Sequence, residues 1–479
     1  MNKNLIIRTL GLVLICEAGA MLPSFFLSLY YKEPDMLPFL YSILLLAVPG
    51  FLLTLIRVRN KDVGYREGFA IATMTWLVTA ACGGIPFLLS GTLTTFYDAF
   101  FETMSGFTTT GASVIPNVEI LPHGILFWRS FTHFLGGMGT IVLILALIPS
   151  LKVAAMQLYK AEVPGPTKSK VLPRILQTTR QLWKVYMLIT ATEVILLVLA
   201  GMPLFDSFIH TFGSVGTGGF SCKNASIGAY NSPAIEYIVI FFMSICGMNF
   251  ALHYSIMRGN FKALLKDPET KLYLGIIAVS TALIALNAFN TLGYTPSEAF
   301  RSSFFTVSSI ITTTGYVTAD FDRWPDFSKI ILLLLMFVGG CAGSTGGAIK
   351  NVRFLILFKS AARQILKLLH PQAVVPVRLG RQVVPDEVVE NVQTFFFLYM
   401  LIFGVSTLYI TTLGFDLVSA AYAVAATLGN VGPGLGLVGP MTNYAILPDS
   451  GKLLLSFCML VGRLEIYTVL VVFSTRFWR

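Results

Sequence analysis

Long apolar runs alternate with short polar segments along most of this chain of 479 residues. A helix needs roughly 20 apolar residues to cross the hydrocarbon core of a bilayer, and ten runs are of about that length. They lie at residues 5–29, 37–55, 67–89, 125–148, 182–200, 235–257, 272–292, 330–357, 392–413 and 453–473. The pattern predicts an all-α polytopic membrane protein with ten spans.

Four further apolar segments are too short to span a membrane, at residues 96–107, 204–214, 299–310 and 417–426. Apolar segments of about 10 to 12 residues are often re-entrant, so each predicts a short pore helix. A glycine-containing polar loop follows each segment, and another span comes next. This order of span, pore helix, filter loop and span occurs four times, and such repetition indicates the architecture. The predicted units are an additional helix pair at 1–60 and pore repeats at 61–150, 151–262, 263–368 and 369–479.

The four loops carry threonine, asparagine and glycine where a membrane protein would normally be apolar. Backbone of this kind is tolerated at membrane depth only where it lines a wet cavity. Glycine permits positive φ, and consecutive carbonyl oxygens and hydroxyls can replace the hydration shell of an alkali cation. We therefore predict a ring of four loops around one pore, although small residues could instead permit close helix packing. The predicted cation ligands are Thr109, Thr110, Gly111, Gly216, Thr217, Gly218, Thr313, Thr314, Gly315, Asn430, Val431 and Gly432.

Composition and charge agree with a membrane protein. Hydrophobic residues form 55% of the chain and charged residues only 12%, whereas soluble domains carry roughly 25% charged residues. The net charge of +10 comes largely from basic residues in alternate loops, near 57–66, 152–184, 258–271 and 350–381. This bias places both termini in the cytoplasm and gives no reason to expect nucleic-acid binding. The six scattered cysteines indicate neither a disulfide framework nor a zinc site.

Two unusual features interrupt the later spans and predict a gate. Five glycines within residues 339–347 will not stay helical in isolation, so we expect an intramembrane loop that obstructs the pore well below the third filter loop. The alternative is a packing face of a GxxxG type. Arg463 lies within the last span, where a charge usually faces a cavity or a partner. It is expected to line the pore beside this loop, or else to pair with Glu193 or Glu17. The predicted gate residues are Gly339, Gly340, Gly343, Ser344, Thr345, Gly346, Gly347 and Arg463.

Other charged residues allow two interpretations each. Asp98, Glu102 and Asp206 lie in the short helices, where they could concentrate cations at the pore mouth or cap helix N-termini. The basic segments 152–184 and 350–381 could form a docking face for a cytosolic partner. The same residues could serve only to orient the chain in the membrane.

The loop motifs resemble those of the Trk/Ktr/HKT superfamily of cation transporters, and most of all its Trk-type membrane subunits. The resemblance covers nearly the whole chain, and the extra N-terminal helix pair is typical of the Trk type. The motifs that carry it are Thr-Thr-Thr-Gly111-Ala-Ser, Thr217-Gly-Gly-Phe-Ser, Thr-Thr-Thr-Gly315-Tyr and Asn430-Val-Gly-Pro-Gly-Leu-Gly.

The resemblance implies a potassium-selective, channel-like uptake subunit of the bacterial inner membrane, with K⁺ as the transported ion, no bound cofactor and no enzymatic activity. It also implies a homodimer docked on a cytosolic, nucleotide-binding ring of the TrkA kind. In that superfamily, glycine at all four filter positions, here 111, 218, 315 and 432, accompanies potassium selectivity. The competing function is an ion-coupled secondary transporter such as a cation symporter, which also uses broken helices near the midplane.

Overall fold

The structure is a computed structural model that describes residues 1–58, 64–139, 172–380, 382–464 and 466–478. Its helices are α1 (Lys3–Tyr31), α2 (Met36–Thr54), α3 (Tyr65–Gly83), α4 (Ile85–Leu89), α5 (Phe96–Phe107), α6 (His123–Gly137), α7 (Leu172–Leu199), α8 (Leu204–Gly216), α9 (Pro233–Cys246), α10 (Phe250–Met257), α11 (Lys262–Lys266), α12 (Pro268–Leu292), α13 (Pro296–Ile311), α14 (Asp326–Phe337), α15 (Asn351–Leu369), α16 (Asp386–Thr412), α17 (Leu417–Leu428), α18 (Asp449–Arg463), α19 (Ile466–Val472) and α20 (Thr475–Trp478). A two-stranded antiparallel hairpin, β1 (Arg378–Leu379) and β2 (Gln382–Val383), lies between α15 and α16. The chain is therefore predominantly helical in its described parts, as its sequence predicts.

Six helical segments among the described residues are long and apolar enough to cross a membrane. They are α1, α2, α3 together with α4, the 179–199 part of α7, α12 and α16. All six coincide with predicted spans. The predicted span at 125–148 extends beyond the described residues, so the total of ten spans stays a prediction.

The predicted span at 235–257 is not one straight helix. It breaks after Cys246, and α9 and α10 are bent by 101° relative to each other. The break releases backbone groups for tertiary contacts, because the carbonyl oxygen of Gly247 accepts a hydrogen bond of 2.8 Å from the amide of Cys341. The Asn249 side chain then caps α10 by accepting a bond from the amide of Ala251. One long-range partner and one local cap thus satisfy backbone groups at the break.

Glycines bring the N-terminal helices α1 and α2 into close contact. A Cβ placed on Gly11 would lie 2.8 Å from the carbonyl oxygen of Gly50, and a Cβ on Gly50 would lie 2.9 Å from that of Gly11. Small residues permit such close approach of membrane helices, where lipid offers no hydrophobic driving force for association. The pair therefore packs through this glycine contact.

Three of the four short helices, α5, α13 and α17, begin at side-chain caps, and all four end at buried residues. In α5 the Thr95 hydroxyl accepts a bond from the amide of Asp98, and α13 opens with a capping box between Thr295 and Glu298. At the start of α17, Asp416 accepts a bond from the amide of Ser419. Hydrogen bonds from Ser419 hold the pKa of Asp416 below its usual value, so this carboxylate stays ionised at the positive end of the helix. These caps fix where the helices begin, close to the predicted positions.

Candidate ion-conduction site

The same backbone conformation recurs in the four loops that follow α5, α8, α13 and α17. Each loop has a non-glycine residue in the left-handed region and, two positions later, a glycine with positive φ. The left-handed residues are Thr109, Thr217, Thr313 and Asn430, at φ 54°, 55°, 59° and 53°, and the glycines are Gly111, Gly219, Gly315 and Gly432, at φ 82°, 80°, 78° and 96°. Left-handed threonine costs roughly 1–2 kcal/mol, so the surrounding structure must enforce this conformation.

Hydrogen bonds at the end of each short helix enforce it. The residue after the left-handed one donates its amide to a carbonyl five positions earlier in every loop. These bonds run from Thr110 to Ser105 at 2.8 Å, from Gly218 to Gly213 at 2.7 Å, from Thr314 to Ser309 at 2.9 Å and from Val431 to Ala426 at 2.7 Å. This is the pattern of a helix-terminating Schellman motif, which satisfies carbonyls that the helix leaves free. The four loops, of which only the first and third share the sequence Thr-Thr-Thr-Gly, thus have one local geometry.

The second loop differs by one residue from its predicted alignment, in which Gly218 corresponded to Gly111, Gly315 and Gly432. Gly219, rather than Gly218, has the positive φ found at Gly111 and Gly315, so Gly219 is the backbone equivalent of these two glycines. Gly218 instead corresponds to Thr110, and a Cβ there would overlap the ring of His133. Adjacent glycines hide this register in the sequence, because the end of α8 decides which of them must turn.

The four loops form a closed ring. A Cβ built on each positive-φ glycine would lie under 3.0 Å from a carbonyl oxygen of the next loop. Gly111 faces the oxygen of Gly218, Gly219 that of Thr314, Gly315 that of Val431, and Gly432 that of Thr110. The order runs from the first loop to the fourth and returns to the first. Equivalent carbonyl groups, one from each loop, therefore surround a common axis.

The ring offers neutral oxygen ligands. The side chains of Thr109, Thr217, Thr313 and Asn430 are fully buried. Within the described residues, Thr109 Oγ1 and Asn430 Oδ1 have no hydrogen-bond partner, and no cluster of three or more His, Cys, Asp or Glu side chains could hold a metal ion. Carbonyl dipoles and hydroxyls suit a weakly held monovalent cation, whereas Ca²⁺ sites use several carboxylates.

One open cavity adjoins the ring on the side where the chain leaves the four loops. Residues that follow every loop line it, namely 111–113, 219–221, 315 with 317, and 432–433. The four loops therefore open into one shared mouth.

The glycine-rich segment between α14 and α15 is irregular, as predicted. Val338 and Ile349 form an isolated parallel bridge that closes its base. Glu269 Oε1 accepts bonds from the amides of Ala342, at 2.8 Å, and Val352, at 2.9 Å, and so holds it from the side. The alternative of a helical GxxxG face was wrong, because this backbone is not helical.

The segment lies directly against the third and fourth loops rather than well below them. The amide of Gly347 donates to Thr313 Oγ1 at 2.7 Å. A Cβ on Gly347 would lie 2.7 Å from Cβ of Asn430, and a Cβ on Gly346 would lie 3.0 Å from the carbonyl oxygen of Thr312. Glycine is thus required here by contact with the third and fourth loops.

Arg463 joins this segment to the first repeat. Its guanidinium donates to the carbonyl oxygens of Thr345 at 2.5 Å, Gly136 at 2.6 Å and Gly137 at 3.0 Å. Glu193 is one of the two acids that were predicted as alternative partners of Arg463. Its carboxylate accepts a short hydrogen bond from the Ser214 hydroxyl. The expected proximity of Arg463 to the glycine segment is therefore observed as a direct contact.

Several contacts of charged residues in the glycine segment and the short helices were not anticipated. Lys350 is buried and donates to the carbonyl oxygen of Gly346, within the segment itself. The acids of the short helices are also engaged. Asp98 Oδ1 pairs with Lys452 at 2.5 Å, Glu102 pairs with Arg129 at 2.6 Å, and Asp206 accepts a 2.6 Å bond from Tyr230. Such pairs join residues that are distant in sequence. The only signal in the sequence is that charged residues are rare within apolar segments and are usually paired when they occur there.

Comparisons with known proteins agree on one family. The family model described as "TrkH: Cation transport protein" matches residues 36–479. The potassium uptake protein TrkH of Salmonella typhimurium is 40% identical over the full length of both chains. TrkG of Escherichia coli is 37% identical, covering 96% of this chain and 95% of TrkG.

A solved structure agrees with these sequence relatives. The crystal structure of the potassium transporter TrkH from Vibrio parahaemolyticus matches all of both chains with a TM-score of 0.90 at 37% identity. These relatives are potassium transport proteins, not enzymes. Together with the long apolar helices, they identify an integral membrane protein. The chain belongs to the TrkH family of cation transport proteins.

Proposed function

We propose that this protein is the potassium-selective, channel-like uptake subunit of a bacterial Trk-type system. The closed ring of loops carries the proposal, since each positive-φ glycine abuts a carbonyl oxygen of the next loop. Its relatives are named as potassium uptake proteins, which gives K⁺ as the cargo. The C-terminal ends of four short helices converge on the ring, and their negative dipole ends favour a cation there.

The selectivity filter in this proposal consists of the loops 109–111, 216–219, 313–315 and 430–432. Potassium exchanges its hydration shell for their carbonyl and hydroxyl oxygens. The chain forms four pore repeats with an additional N-terminal helix pair, both termini face the cytoplasm, and two protomers associate as a homodimer. The basic residues of alternate loops support this orientation.

The gate consists of the segment 339–347 and Arg463. The segment contacts two filter loops, and Arg463 holds the carbonyl oxygen of Thr345. A fixed positive charge beside a narrow passage opposes cation entry. Retraction of the segment from the filter would then open the pathway.

Purified protein in potassium-loaded liposomes should take up rubidium tracer without any co-substrate gradient. A channel-like pore needs only the electrochemical gradient of the cation itself. Protein-free liposomes give the background. Uptake that requires an imposed proton or sodium gradient would contradict the proposal and favour a cation symporter.

The cytosolic partner in this proposal is a nucleotide-binding ring of the TrkA type. Part of the predicted docking face does not reach solvent, because Lys350 and Arg353 are 1% and 7% exposed. Lys359, Lys367 and Arg378 are exposed and remain available. The basic segment 152–171 lies outside the described residues, so its role in docking stays a prediction.

Charge reversal should test this docking face. The triple variant Lys359→Glu, Lys367→Glu and Arg378→Glu replaces three exposed positive charges by negative ones. We expect its affinity for the ring to fall at least tenfold in a pull-down titration at low salt, because complementary surface charge steers association. Lys223→Glu, on the predicted opposite side, is the control. Undiminished binding by the triple variant would place the docking face elsewhere.

A further inference from the structure

A buried ion pair lies behind the first two filter loops. Arg129 Nε on α6 contacts Glu102 Oε1 on α5 at 2.6 Å. The two residues are 4% and 1% exposed. Removing one partner of such a pair leaves an uncompensated charge in a poorly hydrated site, which is far more costly than removing both.

Glu102 is bonded to the chain that leaves the first loop. Its Oε1 accepts the Ser113 hydroxyl at 3.0 Å, and its Oε2 accepts the amide of Val114 at 2.9 Å. These residues lie two and three positions after Gly111. The carboxylate therefore fixes the exit of the first loop to the short helix that precedes it.

Arg129 is bonded to the chain that leaves the second loop. Its Nη1 donates to the carbonyl oxygen of Ser221 at 3.1 Å, and its guanidinium lies 3.5 Å from the centroid of the Phe220 ring. Both residues follow Gly219 directly. The ion pair therefore connects the first two loops, whose Gly111 and Gly218 form one contact of the ring.

Arg129 also borders the open cavity next to the ring. Its charge can act on cations at this mouth, and the Glu102 carboxylate balances it. Loss of either partner changes the net charge beside the pathway, with opposite signs. This sign difference separates an electrostatic role from simple structural support.

We propose that Glu102 and Arg129 are positioning residues that set cation selectivity by fixing the first two filter loops and by cancelling each other's charge at the mouth. The inference rests on the proposed function, because it assumes that the ring conducts the ion. A cation that exchanges its hydration shell for carbonyl oxygens responds to where those oxygens lie, and the ion pair holds them at one of the four loop contacts.

Single neutral variants should therefore act in opposite directions on cation entry. Glu102→Gln leaves the Arg129 charge uncompensated, and we expect rubidium uptake to fall at least tenfold. Arg129→Gln leaves a carboxylate, and we expect external barium to block at least tenfold more strongly than in the parent. Both should lower the preference for potassium over sodium at least fivefold.

Two further variants keep the test decisive. The double variant Glu102→Gln with Arg129→Gln restores neutrality, so barium block should return to the parent value while selectivity stays reduced. The control pair, Glu236 on α9 and Arg301 on α13, lies 3.0 Å apart and also joins a short helix to a neighbour. Glu236→Gln with Arg301→Gln should leave both readouts unchanged.

The outcomes distinguish this inference from the proposed function. Absence of uptake by the parent protein would overturn the function itself. A selective parent whose two single variants keep parent selectivity, or shift barium block in the same direction, would overturn only the role of the ion pair. Should a single variant fail to fold, the double variant decides, since parent selectivity there equally overturns the inference.

Discussion

Serine in place of Gly111, Gly219, Gly315 or Gly432 should reduce the preference for potassium over sodium at least tenfold. Each substitution places a Cβ under 3.0 Å from a carbonyl oxygen of the next loop, so that oxygen must move. The positive φ adds roughly 1–2 kcal/mol of strain for any residue other than glycine. This strain lowers the stability of the folded loop, whereas the loss of selectivity follows from the displaced oxygen; a tenfold loss corresponds to about 1.4 kcal/mol in the preference for potassium. Competition between sodium and rubidium uptake in liposomes measures it.

A matched control separates displacement of the ring from backbone strain. Gly201 also has positive φ, at 95°, but a Cβ there would meet nothing within 4 Å. Gly201→Ser should reduce stability and leave selectivity unchanged. Parent selectivity in all four filter variants would show that the ring does not select the ion.

Gly218→Ser tests the register of the second loop. This glycine lacks the positive φ, and its Cβ would overlap the ring of His133 rather than a neighbouring loop. His133 is buried, stacks on Phe220 at 4.1 Å between ring centroids and shares a 2.7 Å hydrogen bond with the carbonyl oxygen of Gly106. Gly218→Ser would therefore displace the second loop through its contact with His133. Gly219→Ser would instead displace the carbonyl oxygen of Thr314 in the ring.

Local sequence patterns predicted the elements of this fold well because membrane helices are selected mainly by hydrophobic length. Six predicted spans and four short helices lie where apolar runs indicated them. The positive-φ glycines at 111, 315 and 432 also followed from the repeated threonine and glycine motifs. In these places one short stretch of sequence contains the whole physical cause.

Long-range contacts could not be predicted in the same way. The break after Cys246 depends on Cys341, nearly one hundred residues later, and the Glu102–Arg129 pair depends on how two helices pack. The buried position of Lys350 likewise requires the folded segment around it. Hydropathy records the cost of a charge in lipid, but it does not identify the partner that offsets this cost.

The proposed filter and the glycine segment share a hydrogen bond, so we expect changes in one to affect the other. Thr313 Oγ1, which is among the proposed cation ligands, accepts the amide of Gly347 at 2.7 Å. A hydroxyl oxygen has a second lone pair, but its orientation is set by this bond. In the proposed function, movement of the segment would therefore shift one of the proposed cation ligands.

Replacing Arg463 with alanine should raise rubidium uptake by the isolated protein at least tenfold. The substitution removes bonds to the carbonyl oxygens of Thr345, Gly136 and Gly137, and with them the link between the segment and the end of α6. Hydrogen bonds to charged groups contribute about 1.5–3 kcal/mol each, so the held position loses much of its stability. Arg323→Ala, at an 86% exposed side chain, is the control and should have no effect.

Arg463→Lys then distinguishes the two ways in which this residue can close the pathway. Two unit charges 4 Å apart interact by about 4 kcal/mol at an effective dielectric of 20, and half of that slows passage more than tenfold. Lysine keeps this charge but lacks the planar fork that bridges several carbonyl groups. If uptake by the lysine variant stays low, the positive charge closes the pathway. If its uptake rises like that of the alanine variant, the hydrogen bonds from the guanidinium close it. If alanine, lysine and a shortened 339–347 segment all keep uptake as low as the parent, neither the charge nor the segment is the gate, and closure must lie elsewhere along the pathway.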